Sequence, residues 1–82
     1  MTAEEMFEAL GYKKVSNEKS IIKFENHSHG DGDYSYVIIY PIIKAYVVGY
    51  FDGYMSKEFM PYRVDMDLHK AVTKLLEERG YL

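Results

Sequence analysis

Between Tyr34 and Phe51 the chain alternates in two runs, and this pattern limits the fold more than any other feature. In the first run Tyr34, Tyr36, Ile38 and Tyr40 fall on one side and Ser35, Val37 and Ile39 on the other, the two-residue period of a β-strand. Pro41 cannot donate to a ladder, so it marks a turn or an edge. The second run, from about Ile43 to Phe51, sets Ile43, Ala45, Val47, Gly49 and Phe51 against Lys44, Tyr46, Val48 and Tyr50. The first of these faces is smaller and drier, as expected where helices lie on a sheet. Pro41, Lys44 and Gly49 interrupt the apolar stretch, which therefore reads as two strands and not as a membrane span.

Helical patterns flank this region. Thr2-Ala3-Glu4-Glu5 has the spacing of a capping box, and the acids of the first turn suit the positive end of the helix dipole. Met6, Phe7 and Leu10 follow on one face, and Gly11 is placed as a left-handed stop with Tyr12 folding back on the last turn. The first helix is expected over residues 3–10. Near the other end Asp65 is the expected cap of a helix from Met66 to Arg79, with Leu68, Val72, Leu75 and Leu76 as its apolar stripe and Gly80 as its stop. Strands are expected over residues 12–16 and 21–25, and residues 59–64 are open between a loop and a short edge strand limited by Pro61.

These elements define an α+β fold in the order α-β-β-β-β-α, with a small antiparallel sheet of about four strands. Helices this short can cover one face of such a sheet and not both, so both terminal helices are expected on the same face. A chain of 82 residues buries only about 60–65 % of its unfolded surface, and makes one domain with a thin core. It has no cysteine, which excludes disulfides and thiolate metal sites and fits a reducing cytoplasm. The opening residues carry Glu4, Glu5 and Glu8 without an apolar run, so no secretory leader is expected. The net charge of −3, with acids and bases interspersed, argues against duplex nucleic acid as a partner.

Nine tyrosines and no tryptophan are the unusual feature of the composition. Tyrosine joins a large apolar ring to a polar tip, which suits half-buried strands and contact surfaces alike. On the uncovered sheet face the expected contact residues are Tyr46 and Tyr50, joined by Tyr36 and Tyr40. The tract Asn26-His27-Ser28-His29-Gly30-Asp31-Gly32 is the other candidate. If it were extended, His27 and His29 would point to one side and Asp31 would supply a third ligand, a metal- or ligand-binding alternative. The same residue types are turn formers, and a glycine-rich loop holds ligands loosely, so a loop is preferred and no cofactor is expected. Asp65 and His69 share a helix face four residues apart. No further nucleophile or carboxylate is placed to complete a catalytic site around them, and no enzymatic activity is expected.

The termini carry a resemblance. "MTAEEMFEALGYKK" is similar to the opening of a group of small uncharacterised proteins encoded by phages, prophages and other mobile elements of Gram-positive bacteria, which begin with a helix reading like "AEEMFEKLGY". That group closes with a helix ending in "LEELGW"; here the close is "HKAVTKLLEERGYL", with Tyr81 at the tryptophan position. The matching parts make up less than half of the chain and are mostly cap and core positions. The resemblance implies a bacterial cytoplasmic setting and an accessory role for a mobile element, and carries over no catalytic residue. The expected function is non-enzymatic interaction with a protein partner or with a second copy, as in a homodimer, through the open sheet face or a sheet edge.

Overall fold

The computed structural model describes residues 1–30 and 32–82. Its elements are α1 (Ala3–Ala9), β1 (Lys13–Asn17), β2 (Ile22–Asn26), β3 (Tyr34–Tyr40), β4 (Ala45–Asp52), β5 (Glu58–Pro61) and α2 (Met66–Glu78). The strands form one antiparallel sheet in the order β1-β2-β3-β4-β5. The fold is α+β with a terminal helix at each end, as expected, and the fifth strand of the sheet is the short edge segment that the sequence left open.

Local chemistry sets the helix ends. Thr2 Oγ1 accepts from the Glu5 amide at 3.2 Å, and Glu5 Oε1 accepts from the Thr2 amide at 2.8 Å. That reciprocal pair satisfies two amides that an unstarted helix leaves orphaned. Asp65 caps α2 by accepting from the Leu68 amide at 2.8 Å. Both helices end in the same motif. Gly11 and Gly80 take φ of +92° and +75°, while the Tyr12 and Tyr81 amides reach back to the Phe7 and Leu76 carbonyls at 2.9 and 2.8 Å.

One core lies between the helices and one face of the sheet. Ala3 and Phe7 from α1 and Leu68, Ala71, Val72 and Leu75 from α2 meet Ile22 and Phe24 of β2 and Val37 and Ile39 of β3. Both helices therefore cover the same face, as expected. The Phe7 ring stacks on Phe24, with centroids 4.0 Å apart and planes 11° from parallel. The start of α1 is also tied to the end of α2, where the Ala3 amide donates to Glu78 Oε2 at 2.9 Å. Asn26 Nδ2 donates to the Leu10 carbonyl at 3.2 Å, so the end of β2 fixes the end of α1.

Two boundaries differ from the expectation by more than one residue, and one of them bears on an inverted face. Residues 41–44 form a four-residue turn closed by a 3.3 Å bond from the Lys44 amide to the Pro41 carbonyl. Lys44 adopts φ +54° within it, and β4 starts only at Ala45. The register then pairs Tyr40 with Ala45, Tyr36 with Gly49 and Tyr34 with Phe51. Since Val37 and Ile39 face the helices, their partners Val48 and Tyr46 lie on the helix side, together with Tyr50. The drier face of β4, Ala45, Val47, Gly49 and Phe51, is the open one. Small, apolar side chains were read as a sign of helix cover; here they complement the large tyrosines of β3 instead. The last strand ends at Pro61 and does not extend to Val64.

Gly11→Ala tests the cap of α1. The left-handed φ disfavours a side chain, and a Cβ would lie 3.2 Å from the Asn26 amide group. A loss of about 1–2 kcal/mol is expected in denaturant unfolding, against about 3–5 kcal/mol for Phe7→Ala at the centre of the core.

Candidate functional site

The pleat brings an aromatic layer to the open face. Tyr34 and Tyr36 of β3 stand beside Phe51 of β4 and Phe59 of β5. Ring centroids are 5.3 Å apart for Tyr34 and Phe51, 4.7 Å for Phe51 and Phe59, and 6.0 Å for Tyr36 and Phe59. Each pair falls within the range where tilted or edge contacts are favourable. Tyr36 lies across Gly49, its cross-strand partner, where a Cβ would collide with the ring and hydroxyl. The glycine supplies the space, and the ring covers the backbone that the glycine would leave bare. Phe59 is 63 % exposed and Val47 48 % exposed on this face, and no helix covers it.

A cationic margin borders the layer. Lys23 of β2 extends its ammonium to 5.6 Å from the Tyr36 ring and 6.0 Å from the Tyr34 ring, and also pairs with Glu25 at 3.0 Å. His27 Nε2 lies 2.7 Å from Glu25 Oε1, and the His27 ring stacks on Tyr34 at 4.6 Å. Burial pushes the Glu25 carboxyl up, but its bonds to His27 and Lys23 outweigh this, and it sits below the usual carboxylate range. A depressed carboxyl stabilises the fold above its unfolded value, and that contribution is lost as pH falls through the folded value. The Glu25 contribution is therefore lost in acid.

The helix side holds a separate polar corner. Ser35 is fully buried and hydrogen-bonds the Tyr12 hydroxyl at 2.9 Å and His29 Nε2 at 3.0 Å. Tyr50 donates to Asp33 at 2.8 Å and stacks on Tyr62 at 5.4 Å, with His29 edge-on to both rings. Tyr12, Asn26, Ser35, Tyr62, Arg63 and Asp65 line a cavity of about 100 Å³. Ligand pockets measure about 300–1,000 Å³, so this space suits water better than a substrate. Burial pushes the Tyr12 hydroxyl up, against the opposing hydrogen bond with Ser35. Asp33 pushes Tyr50 up to about 12. Both phenols stay neutral near pH 7; Tyr12 ties the end of α1 to β3, and Tyr50 ties β4 to the loop before β3.

The expected contact residues are thus divided. Tyr36 and Tyr40 are on the open face, while Tyr46 and Tyr50 are on the helix side. The second assignment corrects the sequence reading, through the register that the turn at 41–44 imposes. Phe51, Phe59 and Lys23 belong to the open face and were not among the expected contacts. Their signal was the pairing of Tyr36 with Gly49, which places the next ring on β4 directly beside Tyr34.

The histidine tract does not converge. Asn26 Oδ1 accepts from the Ser28 amide at 3.0 Å and its hydroxyl at 2.6 Å, which bends the chain after β2. His27 then lies over Tyr34 on the open face, and His29 beside Ser35 on the helix side. The side-by-side placement assumed for an extended segment is not formed. Asp31 lies outside the described residues, and among those described no three acids or histidines are grouped to hold a metal. Asp65 is occupied in capping α2. No helix among the described residues is long and apolar enough to cross a membrane. Comparison with family models, with curated proteins and with solved structures gives no match.

Two measurements check this geometry. Gly49→Ala should cost about 1–3 kcal/mol by overpacking against Tyr36, and Tyr36→Ala should remove most of that penalty in the double variant. In an alkaline absorbance titration Tyr50 should ionise near pH 12, with Tyr12 also above its ordinary value, and Asp33→Asn should bring the Tyr50 step back towards the ordinary range. Because the folded value is raised, the Tyr50 bond contributes stability below the ordinary value of 10, and the contribution is lost as pH climbs through the folded value.

Proposed function

We propose that this chain is a non-enzymatic interaction protein whose open sheet face docks a protein partner. The carrying observation is the contiguous layer of Tyr34, Tyr36, Phe51 and Phe59 on the face opposite both helices. Aromatic rings give large contact area at low entropic cost and dominate binding hot spots. Exposed apolar layers of this kind mark interaction surfaces more often than they persist bare in water. An apolar centre with Lys23, Glu25 and His27 along one side also matches the usual division of an interface into a dry core and a polar rim. Nothing in the polar corner provides the pocket and displaced acid that catalysis calls for.

In this reading the chain acts in the bacterial cytoplasm as an accessory protein of a phage or other mobile element. The similarity of its termini to that group supports the setting, and the face supplies the mode of action.

Phe59→Glu with Val47→Lys is the test. Both side chains are exposed, so thermal stability should change little, by about 0.5 kcal/mol for each substitution. Binding of a hydrophobic reporter dye, and retention of host proteins on the immobilised chain, should both drop sharply. Equal retention by the variant and the wild type would overturn the assignment of the face.

A further inference from the structure

Resting on that reading, we infer that the occupant of the open face is a second copy of this chain, packed sheet on sheet about a two-fold axis that crosses the strands. Along β4 the face is graded in size, from Phe51 beside Phe59 at one end to Val47 and Ala45 at the other, while β3 carries a tyrosine at each end, Tyr34 and Tyr40. β5 pairs only with residues 49–52 of β4, so the corner beside Ala45 has no strand next to it. A two-fold axis across the strands turns one copy end for end over the other. It lays Phe51 of each copy over Ala45 of the other, Phe59 in the vacant corner, and Tyr34 against Tyr40 as a reciprocal pair of rings. Aligned sheets pack in this way at about 10 Å separation, within about 30° of parallel.

The charges obey the same operation. Lys23 shares a row with Ile38 and Val47, and Glu25 shares the next row with Tyr36 and Gly49. An axis passing between these two rows sets Lys23 of each copy against Glu25 of the other. The pair is reciprocal, as an isologous interface requires, and lies to one side of the apolar centre.

The area limits the affinity. Five strands at about 4.8 Å spacing, and a length of about 24 Å for the longer ones, give a flat footprint of about 450 Å² per copy. Allowing for surface relief, the pair buries about 1,000 Å², at the lower edge of specific interfaces. The dimer is therefore reversible, and dissociates in the range of about 10 µM to 1 mM.

Sedimentation of the full chain across that concentration range tests the inference. The wild type should shift from monomer to dimer, and Val47→Lys should remain monomeric. Lys23→Glu and Glu25→Lys should each weaken self-association by about tenfold or more, yet an equimolar mixture of the two should form a heterodimer close to wild-type affinity. Recovery on mixing separates a contact between copies from the Lys23–Glu25 pair inside one copy. A wild type that stays monomeric at 1 mM overturns the dimer. If Phe59→Glu with Val47→Lys still abolishes host-protein retention in that case, the interaction face stands with another protein on it. Binding of a labelled oligothymidylate by the monomer would give the face to single-stranded nucleic acid instead. A dimer indifferent to Val47→Lys and to both charge reversals overturns the inference and the choice of face together.

Discussion

Phe7 stacked on Phe24 places α1 against β2 and so determines which side of the sheet is inside. The side chains of a strand alternate, and neighbouring strands pair in register, so one fixed residue on β2 fixes the facing of every other strand. Phe24 pairs with Val37, and Val37 with Val48. From that single row follow the burial of Ser35 and Ile39 and the exposure of Tyr34 and Tyr36. A thin core cannot tolerate the opposite choice. It would put Lys23 and Glu25 beneath the helices and leave Ile22 and Phe24 in water, and ions without partners are far costlier to bury than rings.

With the inside settled, the outside is not simply the polar remainder. Lys23, Glu25 and His27 make the β2 flank of the open face polar, but β3, β4 and β5 present rings and small apolar groups there. The helices are too short and too few to shield a second side. The layer is held by contacts among its own rings and by the seat that Gly49 offers Tyr36. Such an arrangement stabilises the sheet locally while leaving Phe59 largely in solvent. The proposed interaction rests on this surface. The helix-side corner, where neutral hydroxyls and a histidine satisfy one another around a small cavity, does structural work by joining β3, α1 and the segment after β5.

Helix caps, turn residues and strand periods were legible because each depends on neighbours within about five residues. Thr2 and Glu5, Gly11 and Tyr12, Asp65, and Gly80 and Tyr81 all act where the pattern placed them. The run from Tyr34 to Tyr40 is a strand with those limits. The face of β4 was misread because alternation gives two faces and no label for either. Its label came from pairing across the turn at 41–44, where Ile42 and Ile43 had looked like strand residues. The loop after β2 was legible in its turn-forming residues, but the face that each histidine takes was not, since that depends on how the Asn26 side chain bends the chain.

The sequence by itself determined the elements, their order, their ends and the placing of both helices on one side, because local hydrogen bonds and the shortage of apolar helix surface leave little alternative. Only the tertiary structure decided which tyrosines meet one another. Strand register is a long-range property, and a shift of one residue exchanges inside for outside without altering any local preference. Tyr36 and Phe59 are 6.0 Å apart between ring centroids only because β4 bridges their strands, and His27 and His29 part company only because Asn26 bends the chain between two faces.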